Sequence, residues 1–404
     1  MSEPDPSNIR ARRLVFAITW LSYASYYLCR KQLSVTKSRL VDVFNFDLST
    51  LAAIDTGYLA AYALGQFASG LCVDALGPRR VIGVGMMAAG AATAAFGLGS
   101  TTATFAIAFT LNGLFQSTGW PGTVKAITPW FRPAERGKVM AVWSTSYQVG
   151  GIAATAVATW LLTHHGWRST FVVPAAFTAL MGGLVLWQLP ATTPARIKLH
   201  APSLAAFASV DVWILGSSYF CLKLIRYSLL FWLPLYLHKG LDYDEGTAGY
   251  VSVFFEIGGI VGALVAGTVS DRFAGRRGPV VAIMSLGLAA ALVSYKLTGA
   301  SSIVANCAGL ALVGFMLFGP DTVVSGAAAQ DLGGSDGVGA AAGVINGVGS
   351  FGGVAQGFLT AYIAKRWGWP RLFDLFIALA VGSAVILVGY SVREHTRARD
   401  RKLR

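Results

Sequence analysis

Long apolar segments separated by short polar ones dominate the sequence. Each has the length of about 20 residues that an α-helix needs to cross roughly 30 Å of hydrocarbon. The pattern therefore predicts an all-α integral membrane protein with twelve transmembrane helices. These are expected near residues 14–36, 51–73, 81–99, 103–128, 138–163, 169–189, 210–237, 247–269, 279–297, 303–327, 338–364 and 371–392.

The composition excludes most classes of soluble protein. Hydrophobic residues make up 54% of the 404 residues and charged residues 13%, whereas a soluble domain carries about 25% charged residues. A soluble enzyme and a disordered chain are both excluded, since disorder requires low hydrophobicity. The cysteines and histidines lack the spacing of a metal site, and no nucleophile–base pair stands out. We therefore expect no cofactor, no metal and no enzymatic activity.

The basic residues are distributed unevenly about the predicted spans. Lys and Arg number 32 against 19 Asp and Glu, a net charge of +13. Most of the basic residues outside the spans fall on the side of the two termini, and fewer, among them Lys37 and Arg39, fall on the other. The positive-inside rule places both termini in the cytoplasm. The expected partner is the lipid bilayer, not nucleic acid, and the short loops and Ala/Gly-rich composition favour a bacterial inner membrane.

An internal repeat divides the chain into two halves. A loop motif of Gly, Asp and an Arg pair recurs at a constant offset of 197 residues. It predicts an N-terminal six-helix half at 1–189, a cytoplasmic linker at 190–209 and a C-terminal half at 210–404. Transporters built from such parallel repeats bind substrate near the midplane, between their halves. The two copies consist of Gly70, Asp74, Arg79 and Arg80, and of Gly267, Asp271, Arg276 and Arg277.

We interpret this motif as a conformational latch. Its glycine would allow two helices to pack closely, and its Asp and Arg pair would bridge helix ends in one state of the protein. An ordinary charged turn is the alternative, but two copies in register favour the latch.

Two arginines within predicted spans point to an anion site. A charge at the bilayer centre costs about 2.5–3.5 kcal/mol on insertion scales, so it indicates function. Arg30 and Arg226 differ by 196 residues, so the repeat relates them. In a two-half carrier they would face one central cavity without dedicated carboxylates, and guanidinium groups bind phosphate or carboxylate bidentately. The alternative for Arg30 is snorkelling to the membrane surface.

Other polar residues are expected beside these arginines. Tyr23 and Tyr27 share a helix face with Arg30, and Lys223 shares one with Arg226. Lys223 could instead pair with Glu256 or Asp321. For these two acids, three roles remain open: pairing with a lysine, orienting substrate hydroxyls, or carrying a coupling proton.

Several segments resemble the organophosphate:phosphate antiporters of the major facilitator superfamily. Residues 26–31 resemble their first-helix signature, and residues 113–125, 143–151 and 224–237 resemble their fourth, fifth and seventh helices. The resemblance implies the major facilitator fold and phosphate binding by Arg30 and Arg226. The matched segments add four candidate substrate-binding residues, Gln116, Trp120, Lys125 and Tyr147.

The sequence also departs from the family pattern. Tyr147 stands where the bacterial glycerol-phosphate members carry a histidine, Gln66 where they carry a lysine, and Lys223 where they carry a tyrosine. The positive charge is therefore arranged differently, and the identity of the organic substrate stays open among sugar phosphates, glycerol phosphate and phosphoglycerate.

The expected mechanism is antiport by alternating access, in which an organic phosphate exchanges for inorganic phosphate. Closing an empty site around two unpaired cations is unfavourable, and a bound phosphate dianion compensates them. The protein is expected to act as a monomer. Two other functions are possible: a membrane sensor that binds a sugar phosphate without transporting it, and a proton-coupled organic-anion carrier driven by Glu256 or Asp321.

Overall fold

The computed structural model describes residues 8–132, 139–140, 142–191, 209–272 and 277–403. Those residues are almost entirely α-helical and contain no β-strand. The described helices, numbered here in chain order, are α1 Ile9–Phe44, α2 Leu48–Leu76, α3 Pro78–Leu98, α4 Thr102–Gln116, α5 Gly119–Ile127, α6 Thr145–His165, α7 Ser169–Gln188, α8 Val210–Leu241, α9 Glu245–Arg272, α10 Gly278–Thr298, α11 Ile303–Thr322, α12 Ala329–Trp367 and α13 Trp369–Leu403.

Many of these helices have the properties of membrane spans. Among the described residues, seven helices are long and apolar enough to cross a bilayer by themselves, and α2 is an eighth if its bend of 45° near residue 67 is allowed. The seven are α3, α7, α8, α9, α10, α11 and α13. The predicted all-α integral membrane class is confirmed, whereas the count of twelve spans remains a prediction.

Helix α1 is longer than the sequence pattern predicts. It begins after Asn8, whose side chain accepts a hydrogen bond from the backbone N–H of Ala11, and ends at Asn45 in the left-handed conformation. Lys37 therefore lies inside the helix and not in a loop. It is completely buried and forms an ion pair with Asp55 of α2, also completely buried. Asp55 therefore compensates the charge of Lys37 within the protein, whereas the position of Lys37 relative to the membrane stays a prediction.

The first compact unit comprises residues 1–199 together with 244–250. Within it α1 packs against α6, α3 against α7, and α2 against α4. Gly150 of α6 is needed for the first of these contacts, because a Cβ atom there would lie 2.7 Å from the carbonyl oxygen of Ala24. This close approach positions the middle of α1, which carries Arg30.

The predicted fourth span, at 103–128, is broken into α4 and α5. Pro121 lies in the first turn of α5 and lacks the N–H that would donate to the carbonyl of Ser117. Ser117 instead closes α4, and Thr118 accepts from the backbone N–H of Gly122 at 3.2 Å. The span therefore consists of two segments joined at 117–118.

The second compact unit comprises residues 200–243 and 251–404. Within it α8 packs against α12 and α10 against α13, the pairs that the repeat relates to α1–α6 and α3–α7. Helix α11 contains Pro320 and is followed by a π-helical turn, Val323–Ala328. Residues 192–208 of the expected linker lie outside the described residues, so the domain boundaries stay a prediction.

Candidate functional site

Arg30 is enclosed by neutral side chains. Its Nε donates to the Oε1 of Gln116 at 3.0 Å. Its guanidinium carbon lies 4.6 Å from the ring centre of Tyr27, 4.8 Å from that of Tyr62 and 6.0 Å from that of Tyr58. We call Gln116 and these three tyrosines the Arg30 cage. Arg30 is only 7% exposed, so it does not snorkel to a surface.

Gln116 is held in one orientation by its own hydrogen bonds. Its amide nitrogen donates to the carbonyl of Cys29 at 2.9 Å and to the side-chain oxygen of Asn112 at 3.0 Å. Its amide oxygen accepts from the hydroxyl of Tyr58 at 3.0 Å and from Arg30. With both nitrogen donors engaged elsewhere, the oxygen faces the guanidinium. Gln116 therefore positions Arg30.

An aromatic wall extends the Arg30 cage. The ring of Tyr23 lies 6.1 Å from that of Tyr27, 5.7 Å from that of Trp120 and 4.9 Å from that of Trp143. The ring of Tyr147 stacks on that of Tyr27 at 6.4 Å. The structure thus brings together five of the residues predicted around Arg30, including Gln116, and adds Trp143.

The charge of Arg30 has no anionic compensation within the described part of the chain. No carboxylate there lies within ion-pair distance of it, and aromatic faces and an amide oxygen stabilise the cation only partly. A buried cation in neutral surroundings is a strong receptor for an anion.

Arg226, in contrast, has a carboxylate partner. Its Nη1 donates to the Oδ2 of Asp321 at 2.5 Å, and the exposed fractions of the two side chains are 18% and 6%. The ring of Phe318 covers the guanidinium, with its centre 4.3 Å from the Arg226 carbon. The expectation of two arginines without dedicated carboxylates is therefore wrong for Arg226. Asp321 does pair with a basic residue, but with this arginine and not with a lysine.

Lys223 lies beside this pair but contacts other groups. Its ammonium donates to the hydroxyl of Ser350 at 3.2 Å and lies 4.7 Å from the ring centre of Tyr219. Asp321 is close enough to interact with its charge. Within the described residues, neither Asp321 nor Glu256 forms an ion pair with Lys223. Glu256 is buried on α9.

Lys125 lies apart from the Arg30 cage in the structure. It forms an ion pair with Asp74 of the loop motif, and both side chains are partly exposed. The break before α5 separates Lys125 from Gln116 along the same span. The structure therefore associates this predicted substrate-binding residue with the motif.

The rest of the loop motif differs from the expected latch. A Cβ atom at Gly70 or Gly267 would have no neighbour within 4 Å among the described residues, so neither glycine mediates close packing in this structure. Arg79 donates to the carbonyl of Leu186 at 2.6 Å. Arg277 donates to the hydroxyl of Ser270 at 2.7 Å. Arg80 is exposed, and the side chain of Asp271 and all of Arg276 lie outside the described residues.

Sequence reasoning missed several site residues, among them Tyr58, Tyr62, Phe318 and Ser350. The tyrosines did leave a signal, because they stand at i and i+4 on one predicted helix and therefore share one face. Phe318 and Ser350 left none, since one phenylalanine or serine in a membrane helix has no distinctive pattern. Their contacts depend on how α11 and α12 pack beside α8.

Comparisons with known proteins agree with the resemblance seen in the sequence. A "Probable hexose phosphate transport protein" of Chlamydia muridarum is 28% identical, covering 91% of this chain and 88% of the relative. The "Membrane sensor protein UhpC" of Salmonella typhimurium is 28% identical, covering 93% and 90%. The "Glucose-6-phosphate exchanger SLC37A2" of Mus musculus is 28% identical, covering 93% and 91%. The match to organophosphate transport proteins predicted from the sequence is thus confirmed.

The fold and the family follow from two further matches. The structure of a D-xylose-proton symporter aligns with a TM-score of 0.75 at 16% identity, covering 93% of this chain and 97% of the symporter. The sequence profile of the Major Facilitator Superfamily matches residues 15–357. This match spans most of the predicted membrane helices in both halves. The chain belongs to the Major Facilitator Superfamily.

Proposed function

We propose that this protein is a secondary transporter that exchanges an organic phosphate for inorganic phosphate by alternating access. One observation carries the proposal: Arg30 is buried in a cage of neutral side chains, with no carboxylate beside it among the described residues. An arginine in this setting gains most from a doubly charged ligand with several acceptor oxygens, which is what a phosphate ester offers. Arg226, its counterpart in the repeat, supplies the second guanidinium.

The organic part of the substrate is proposed to be a sugar or a similar hydroxylated group. Next to Arg30, the aromatic wall offers flat ring faces and the hydroxyl groups of Tyr23, Tyr27 and Tyr147. Rings with hydroxyl groups can pack against a sugar and also donate hydrogen bonds to it. The relatives named for hexose phosphate transport and glucose-6-phosphate exchange support this class.

The proposed oligomeric state, membrane and orientation rest on the sequence. We propose a monomer in a bacterial inner membrane with both termini in the cytoplasm, acting as a carrier and not as an enzyme. Labelling of single cysteines introduced near residues 10 and 395 in intact cells tests the orientation. Labelling from outside the cell would refute it.

The first test is exchange in phosphate-loaded liposomes containing the full-length protein. Labelled phosphate is expected to enter only when the liposomes contain phosphate or a transported ester. A panel of phosphorylated compounds of three to six carbons then identifies the organic substrate. Liposomes that take up no label against internal phosphate would refute the proposed function.

The second test replaces Arg226 by lysine. Lysine can keep the ion pair with Asp321 and hence the fold, but it loses bidentate binding of phosphate. We expect exchange to fall about tenfold or more, the effect of losing one charge-assisted hydrogen bond. Arg393→Lys is the matched control, because Arg393 pairs with Asp211 in the same unit at 3.1 Å and lies away from the site. Full exchange by Arg226→Lys would refute the bidentate role.

A sensor is the second candidate, favoured by the similarity to the membrane sensor UhpC. A sensor binds the sugar phosphate but does not carry it. Counterflow separates the two functions: a transporter accumulates labelled phosphate transiently against a large unlabelled internal pool, whereas a sensor binds the label without accumulating it in the liposome.

A further inference from the structure

The second unit contains a lysine that forms no ion pair with a carboxylate among the described residues. We propose that this residue, Lys223, supplies the net positive charge that makes the site prefer a doubly charged phosphate to a singly charged anion. Arg226 orients the phosphate, and Lys223 compensates its second charge. This inference rests on the proposed function and concerns the specificity of the same site.

The direct contacts of Lys223 are with neutral groups. Its ammonium donates to the hydroxyl of Ser350 at 3.2 Å and lies 4.7 Å from the ring centre of Tyr219. Ser350 donates its own hydrogen to the carbonyl of Asn346 at 2.7 Å, which leaves its oxygen as an acceptor for the lysine. An ammonium group has three N–H donors. Two of them therefore have no acceptor in the part of the chain that the structure describes, and they can bind ligand oxygens.

The charges around Lys223 leave an excess of one positive charge. Asp321 and Arg226 are the charged groups that interact with Lys223, and they form an ion pair with each other. This pair is neutral as a whole, so the three residues together carry a charge of +1. Arg30, which has no carboxylate partner in the described part of the first unit, carries another positive charge. Each unit thus contributes one uncompensated positive charge, and a phosphate dianion balances both.

Lys223 and Arg226 lie on one face of α8. Residues three apart on a helix are neighbours, with about 5–6 Å between their Cβ atoms. Both residues are partly exposed, whereas Leu222, Leu224 and Ile225 are buried. The lysine has a flexible four-carbon stem and a compact charge that can follow the ligand. An anion on the Arg226 guanidinium is therefore within reach of the Lys223 ammonium.

The lysine can discriminate between anions because its attraction depends on their charge. Coulomb energy is proportional to the charge of the ligand, so Lys223 stabilises a dianion about twice as strongly as a monoanion of the same shape. The pair of Arg226 and Asp321 carries no net charge and contributes less to this difference. Without Lys223 the two units would keep a single uncompensated charge, which matches a monoanion.

The first experiment compares two probes of the same shape on the unmodified protein in phosphate-loaded liposomes. Methyl phosphate is a dianion at pH 8 and methyl sulfate is a monoanion. Each is measured as an inhibitor of the exchange of trace labelled phosphate. We expect methyl phosphate to inhibit at a concentration about tenfold lower or more. Equal inhibition by the two esters would overturn the proposal.

The second experiment removes the charge with Lys223→Gln in the full-length protein. The concentration of methyl phosphate that halves exchange should rise about tenfold. That of methyl sulfate should rise only about threefold, because its charge is half as large. Lys223→Arg keeps the charge and should keep the preference. Lys296→Gln is the matched control, because Lys296 pairs with Asp374 in the same unit, and it should change neither value.

The outcomes distinguish this inference from the proposed function. Absence of phosphate exchange in the unmodified protein refutes the function itself. Normal exchange in the unmodified protein, with no loss or with equal losses for the two probes in Lys223→Gln, refutes only the role of Lys223, because a structural lysine would affect both probes alike.

The variant is expected to fold, because it removes a partly buried charge that has no ion pair and leaves the pair of Arg226 and Asp321 intact. Lys223→Met fills the same space without a charge and replaces the glutamine variant if that one does not fold. Failure of both variants to fold would assign a structural role to Lys223 and would also refute the inference.

Discussion

The two arginines that the internal repeat relates have opposite surroundings. Arg30 lies in a neutral cage of one amide and three tyrosine rings. Arg226 forms an ion pair with Asp321, under the ring of Phe318. Both side chains are largely buried, so each needs compensation for the loss of water. The first receives it from polarisable neutral groups and the second from a full negative charge.

This difference shows that duplicated positions need not keep duplicated chemistry. A neutral cage leaves a guanidinium ready to bind an anion at all times, whereas an ion pair makes binding conditional on displacing a carboxylate. In the proposed exchange, phosphate release is as necessary as phosphate binding. The ion pair of Arg226 favours release, and the neutral surroundings of Arg30 favour binding.

The largest effect expected from this difference is on the free energy of unfolding when each arginine is replaced. Arg226→Gln leaves the buried carboxylate of Asp321 without its partner and should lower the free energy of unfolding by about 3 kcal/mol. Arg30→Gln leaves no uncompensated carboxylate, so its cost should stay within about 1 kcal/mol. Thermal unfolding of both variants in one detergent measures the difference. The double variant Arg226→Gln/Asp321→Asn should recover most of the loss, and equal losses for the two single variants would contradict the comparison.

A second prediction converts the neutral cage into an ion pair. Gln116→Glu places a carboxylate on the Arg30 Nε and should weaken phosphate binding by about tenfold, because Arg30 would then be paired as Arg226 is with Asp321. Equilibrium binding of labelled phosphate measures the change. Asn112→Asp, one helical turn away on α4, is the control for added negative charge, since Asn112 contacts Gln116 and not Arg30. Unchanged affinity in Gln116→Glu would show that a carboxylate does not compete there.

A third prediction concerns the stability of the protein in acid, at a carboxylate outside both arginine sites. Asp244 accepts from the side chain and backbone N–H of Thr247 at the start of α9, which lowers the pKa of this exposed carboxyl. Its contribution is present above the ordinary pKa of 3.8 and is lost as the pH falls through the lowered value. Asp244→Ala should cost about 1 kcal/mol at neutral pH, and the difference should shrink below pH 3.8.

Unfolding of both proteins across this pH range measures the effect. Asp244→Asn keeps an acceptor for the backbone N–H of Thr247 and should retain most of the neutral-pH stability. A difference between the alanine variant and the unmodified protein that grows on acidification would contradict the assigned role.

The smallest effect is expected at Lys125. Its ion pair with Asp74 is partly exposed, so Lys125→Gln should change stability by less than about 1 kcal/mol. We expect Lys125→Gln and Asp74→Asn to alter exchange to a similar degree, with the double variant no worse than either, because both remove the same pair. Initial rates of exchange at saturating phosphate measure this. Additive effects would place Lys125 in the substrate site instead of the motif.

The sequence was sufficient to predict the fold class, the family and five of the residues around Arg30. Long apolar segments, a repeated motif and unusual charges are all local features. It could not predict that Lys37 is buried, because the compensating Asp55 is on another helix. Nor could it predict that Asp321 pairs with Arg226 and not with Lys223, since the two basic residues look equivalent in a linear pattern and only helix packing selects between them.

The break in the fourth span has a mechanical consequence. Gln116 ends α4 and holds Arg30, while Lys125 on α5 holds Asp74. A continuous α-helix is rigid, so a tilt at one end would also tilt the other end. At 117–118 this regularity is weakened, because Pro121 donates no hydrogen bond to Ser117. A displacement at the motif is therefore transmitted to the amide beside Arg30 less directly than a continuous helix would transmit it.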